Sequence, residues 1–134
     1  MSSVSLELQG AIVARLVGFA PLTALIADRV YDAVPDEAVF PYISVGPDQI
    51  VSDDAECLTA FEVFLQLDAW SRTEGRVEVK RVAEAVRLAL HGFDLSLTDN
   101  ALLSIEHRQT RILPDPDGQT SHAVIEFVAL VEQP

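Results

Sequence analysis

Basic residues are scarce in this chain: nine Lys and Arg stand against twenty-one Asp and Glu, a formal net charge of −12. Gripping a phosphate backbone needs clustered cations, so the shortage argues against a nucleic-acid-binding role. The plain reading of the acidity is solubility. Cysteine is scarcer still, with Cys57 alone. It has no partner for an internal disulfide, fits a reducing cytosol and reads as small apolar filler. Glycine is sparse too, six in all, and there is no P-loop, Gly-x-Gly-x-x-Gly or Gly-x-Ser-x-Gly. Phosphate cradles and nucleophile elbows are therefore poorly supplied. No apolar run approaches the roughly 20 residues that span a bilayer. Met1-Ser2-Ser3-Val4-Ser5 has neither a basic nor an apolar signal region, so neither a membrane partner nor a secretory leader is expected.

Apolar residues, by contrast, make up 49% of the 134 positions. That excludes disorder and supplies one core, with about two-thirds of the chain's surface buried on folding. A single domain over 1–134 is expected. Val4, Leu8, Ile12, Leu16 and Phe19 recur at helical spacing, widened by Val13 and Val17, and predict a helix over Ser3–Phe19. Pro21 opens a short second helix, Leu22 to Asp28. Val30–Pro35 and Pro41–Val45 read as extended pieces near a sheet edge, since both prolines interrupt ladders. Gly46-Pro47 reads as a turn. Asp48, Asp53, Asp54 and Glu56 then mark an acidic solvated loop or hairpin tip, without the residue order of a calcium loop.

Leu58–Trp70 alternates most clearly. Phe61, Val63, Leu65, Leu67 and Ala69 form an apolar face that must meet the helices. Glu62, Phe64, Gln66, Asp68 and Trp70 form a mixed face of the kind another subunit covers. Thr73 is a plausible N-cap for the main helix, with Glu74 in its first turn and a buried stripe through Val79, Val82, Ala83, Val86, Ala89 and Leu90. His91-Gly92 ends it. Leu95–Ile112 turns at Asp99-Asn100, then runs extended with Leu103, Ile105, His107, Gln109 and Arg111 on one face. Pro114–Gly118 is a turn. His122–Glu132 is apolar on both faces apart from Glu126, as a central strand is. The expected fold is α+β: a mostly antiparallel sheet of about four to five strands packed against one long and one or two shorter helices.

Catalytic and metal chemistry find little support. His107 and His122 flank the Pro114–Gly118 turn near Asp115 and Asp117, but no metal-ligand spacing accompanies them. No cofactor, no metal and no enzymatic role are expected. His91 reads as a cation at a helix C-terminus, not a general base.

Three stretches in order resemble one family. They are Arg29-Val30-Tyr31-Asp32-Ala33-Val34-Pro35 followed by Phe40-Pro41-Tyr42-Ile43-Ser44-Val45-Gly46; Asp68-Ala69-Trp70-Ser71-Arg72 leading into Gly75-Arg76 and Val79-Lys80; and Asp115-Pro116-Asp117-Gly118 with His122 beyond. Together they are similar to the tail completion, or tail terminator, proteins of long-tailed bacteriophages and phage-derived gene transfer agents. The resemblance implies a structural assembly protein, made in the bacterial cytoplasm and incorporated in the particle's neck. Such proteins form a homo-oligomeric ring, usually of six subunits, that caps the tail tube and meets the head-tail connector, or stopper, protein. DNA would pass through the lumen without specific binding, and an acidic lumen suits that passage. No catalytic residue carries over.

Physical chemistry nominates interface residues beside that resemblance. Phe40, Tyr42, Phe64 and Trp70 offer aromatic surface. Arg72, Arg76 and Arg111, set among many acids, suit a head-to-tail contact. Asp48, Asp53, Asp54 and Glu56 form the segment expected to reach a neighbour or the tube. The alternative reading is a non-viral cytosolic module that binds a protein partner or dimerises through its sheet edge.

Overall fold

The computed structural model describes residues 3–134; Met1 and Ser2, which open the stretch expected to lack a leader, lie outside them. Eight elements follow in order: α1 (Val4–Val17), α2 (Ala20–Ile26), β1 (Val30–Tyr31), β2 (Tyr42–Ser52), β3 (Ala60–Ser71), α3 (Val77–Leu90), β4 (Ala101–Pro114) and β5 (Ser121–Glu132). The strands form one sheet in the order β1-β2-β3-β5-β4. Every pairing is antiparallel except that of β1 with β2. The expected α+β class therefore holds, and β5 is an interior strand, paired on both sides by β3 and β4, as its two apolar faces suggest.

α1 and α3 cover one face of this sheet, and α2 packs against both of them. Val4, Leu8, Ile12 and Leu16 of α1, and Val79, Val82, Val86 and Leu90 of α3, are buried in one cluster. From the sheet they meet Ile43, Val63, Leu67, Ile125, Phe127 and Ala129. Polar links at the helix ends fix the layer. The Arg15 Nε–H donates to the Ala89 carbonyl at 2.9 Å, and its guanidinium lies 3.6 Å from the Phe93 ring centroid. The Glu7 carboxylate accepts the backbone N–H groups of Asp99 and Asn100 at 3.0 and 2.9 Å. Val17, expected to widen the α1 stripe, is exposed, because α1 ends there at Gly18 before the chain turns away.

Several local expectations change. Gly46-Pro47 is not a turn: β2 runs through it with a bulge between Val45 and Asp48. The glycine is needed for close approach, since a Cβ there would stand 2.6 Å from an Asp68 carboxylate oxygen. At a bulge the missing proline N–H breaks no ladder. The acidic segment is accordingly half strand, and the reversal between β2 and β3 is confined to positions 53–59. Cys57, expected as apolar filler, is exposed at that reversal with φ 62°.

Thr73 does not cap α3. Gly75 at φ 81° holds the chain out of the helix until Arg76, the N-cap. The hydroxyls of Ser71 and Thr73 instead donate to Glu78 at 2.6 and 2.9 Å, making Glu78 rather than Glu74 the acid of the first turn. In β4 the five residues expected on one face are split by bulges between Leu102 and Ser104 and between His107 and Gln109. Leu103 is thereby exposed while Ile105 is buried, and Gln109 and Arg111 lie opposite Glu126 and Val124 on the helix-free face. Each bulge adds one residue, and one residue reverses the alternation.

Candidate functional site

The helix-free face is organised by register. Opposed residues of antiparallel strands share a face, so the pairs Tyr42–Trp70 and Trp70–His122 place three rings in one row. Trp70 and His122 stack with centroids 3.8 Å apart and planes 9° apart. Tyr42 lies 6.4 Å from Trp70, and Phe40 lies 5.0 Å from Tyr42. The Arg72 guanidinium closes the row over Phe40 at 4.4 Å, and its Nε–H donates to Thr120 Oγ1 at 3.2 Å. Asp117, 3.8 Å from Arg72, also accepts the Thr120 hydroxyl at 2.7 Å. That hydroxyl bond, followed by the backbone N–H groups of Thr120 and Gln119, holds the Asp117 carboxyl below its ordinary pKa. Burial is the main cause that raises the Tyr42 phenol above its own, with Arg72 opposing.

A hydrogen-bonded layer runs beside the rings. Trp70 Nε1–H donates to Ser44 Oγ at 3.0 Å. The Asp68 carboxylate, 6% exposed, accepts from Gln66 Nε2 at 2.9 Å and meets His122 Nε2 at 2.6 Å. Beyond it Gln109 donates to Glu126, which stands opposite Gln66. The face then opens into a shallow groove of about 570 Å³ whose lining includes Pro47, Gln49, Phe64, Gln66, Arg108 and Glu126. A broad surface of rings and amides, with no deep cavity in the groove, suits contact with another macromolecule better than capture of a small molecule.

Of the residues nominated from sequence, Phe40, Tyr42, Trp70 and Arg72 converge in the ring row. Phe64 lies on the same face in the groove, and Arg111 on the same face opposite Val124. The others are elsewhere. Asp48 borders the groove but turns its carboxylate to the helix side, where it accepts a hydrogen bond from Ser5. Asp53, Asp54 and Glu56 sit at the β2–β3 reversal, and Asp54 accepts the Ala60 N–H at 3.1 Å. Arg76 begins α3.

Sequence reasoning missed Ser44, Asp68 and His122 as partners of Trp70. The alternation places Asp68 only on the mixed face of its strand, and its partners depend on strand register. The two histidines weighed as a metal pair lie on opposite faces. His107 opposes Phe127 on the helix side, edge-on at 5.6 Å, whereas His122 opposes Trp70. Burial, then the neighbouring Arg87 charge, lowers the His107 pKa.

Comparison with known proteins supplies the context. The model of the family described as "Tail completion protein gp17" matches residues 10–132. Among solved structures, a chain described under "Virion of native gene transfer agent (GTA) particle" superposes with a TM-score of 0.91 at 26% identity. The match covers 98% of this chain and 99% of that one. No curated protein sequence matches.

Proposed function

The chain belongs to the tail completion protein family, and on that premise we propose that it closes a phage-type tail at its head-proximal end. Six copies form a ring that caps the tail tube, stops its growth and joins it to the head-tail connector. The observation that carries this reading is the near-complete superposition on a chain of a gene transfer agent virion. A likeness over 98% of this chain and 99% of that one is a likeness of the whole fold, and it supports a like place in a particle. The protein is structural, and its work is contact with other subunits.

The helix-free face serves that work. Phe40 and Trp70 present partly exposed aromatic surface over the buried Tyr42, while Asp68, Ser44 and Arg72 hold the rings in place before any partner arrives. Pre-ordered side chains lose little entropy on binding. Phe64, Arg108 and Arg111 extend the surface toward β4. Part of the −12 charge lines the passage, where carboxylates repel a polyanion in transit. Tight, salt-dependent binding to duplex DNA would contradict that assignment.

The test is growth arrest. Purified protein added to polymerising tail tubes stops elongation at a stoichiometry set by tube ends, not by tube mass. Unchanged tube lengths, with the added protein shown to be folded, would overturn the proposal.

A further inference from the structure

Charge is segregated along the chain. Positions 30–71 contain nine Asp and Glu side chains and no Lys or Arg. The far half of β2 is an edge strand laid on β3; with the reversal after it, it forms a margin, here called the arm, in which every residue from 47 to 57 is exposed. The arm is ordered by its own ladder, Gln49–Phe64 through Ser52–Phe61, and by the Asp53 N–H to Ala60 carbonyl bond at 2.8 Å. It shows Ile50 and Val51 at 41% and 39% exposure, and its tip carries Asp53 and Glu56. β1 pairs only with Ile43 and Ser44, so among the described residues no strand covers the outer edge of the arm.

A surface of opposite character lies on α3. Val77, Lys80, Arg81, Glu84 and Leu88 recur at helical spacing on its exposed side. Val77 and Leu88 are 62% and 54% exposed. Glu84 is held by Arg87 at 2.6 Å, so its charge is answered within the helix. Lys80, Arg81 and the N-cap Arg76 form no ion pair among the described residues. Arg76 also stands where the helix dipole disfavours a cation. The stripe therefore has apolar ends and a cationic middle with no ion-pair partner for Lys80 or Arg81 among the described residues.

We propose that the β2–β3 arm of one copy docks on the α3 stripe of the next. Ile50 lies against Leu88, while Asp53 and Glu56 meet Lys80, Arg81 and Arg76. Sizes agree: Ile50 to Asp53 spans about 10 Å as strand, and Arg81 to Leu88 spans about 10 Å as helix. The two patches differ, so the contact is head-to-tail, the kind that repeats around a rotation axis and closes into a ring. An acidic tip among cations also selects orientation. This contact rests on the ring reading and specifies how neighbours join.

Charge exchange tests it in the full chain on tail tubes. Two reversed variants, Asp53→Lys with Glu56→Lys and Lys80→Glu with Arg81→Glu, should each keep the wild-type circular dichroism and lose ring assembly on tube ends. The variant carrying all four changes should regain it. In a separate variant, Val77→Cys, a short bismaleimide should join Cys57 to position 77 of another copy and give a ladder of covalent oligomers. Rings from either reversed pair alone, or arm cross-links to tube protein in place of a second copy, would overturn the contact while leaving the ring intact. Absence of rings with the wild-type protein would instead remove the ring reading itself.

Discussion

The two faces of the sheet are made from the same strands and hold together differently. On the helix side β3 and β5 present Val63, Leu67, Ile125, Phe127 and Ala129, all nearly inaccessible to water. On the other side the alternate residues are Phe64, Asp68, Trp70, His122 and Glu126, tied by directional bonds and stacked rings. The helix side is held by non-directional burial, which tolerates shape-preserving change but not a charge or a hole. The open side is held by a polar network whose members depend on one another. Stability resides mainly on the first face; in the proposed ring the second face, the arm and the outer stripe of α3 meet other subunits.

Substitutions should separate the two faces in size of effect. Val86→Asp places an unpaired charge under α3 and should leave the chain unfolded by circular dichroism. Phe127→Ala opens a cavity in the same layer and should lower the denaturant-derived stability by about 3–5 kcal/mol. Asp68→Ala, on the open face, deprives His122 and Gln66 of their acceptor and should cost about 1–3 kcal/mol. Trp70 is stacked on His122, so its fluorescence should change in that variant and not in Phe127→Leu. If Asp68→Ala proves as damaging as Phe127→Ala, the open face is a second core and the distinction fails.

Acid should also act through the helix side. Burial depresses the His107 pKa in the folded protein, so the unfolded chain takes up its proton first as pH falls. That contribution to stability is whole above the ordinary histidine value and is lost on acidification below about pH 6.5. Between about pH 7.5 and about pH 5.5 the melting temperature of His107→Gln should fall less than that of the wild type. An equal fall would mean the ring is not desolvated. Smallest of all, Asp53→Asn with Glu56→Gln should change stability by no more than about 0.5 kcal/mol and still weaken assembly on tubes. Loss of folding there would make the arm a structural element.

Much of this division was legible in the sequence, and what was not has physical reasons. Period-2 alternation in β3 separated Val63, Leu65, Leu67 and Ala69 from Phe64 and Trp70 correctly, because a strand buried on one face advertises it. The α1 and α3 stripes were legible for the same reason at helical period. Bulges were not: Gly46-Pro47 reads locally as a turn, and only the close approach of the Asp68 carboxylate shows why a strand passes through it. The His107–Gln109 irregularity turned Arg111 to the open face with no local signal. Strand pairing joins Trp70 to His122 across about fifty positions, and no periodicity encodes that. The arm was read as a loop because Gln49-Ile50-Val51-Ser52 does not alternate and is flanked by Asp48, Asp53 and Asp54.

Imaging capped tubes by electron cryomicroscopy tests the central claim, that these contacts end a tail, most directly. The account predicts one ring of six copies at a single end of each arrested tube, with the helix-free faces and the β2–β3 arms covered by neighbours or tube. Arrested tubes whose bound subunits leave the helix-free face bare to solvent, or tubes that elongate with no added subunit at either end, would contradict it.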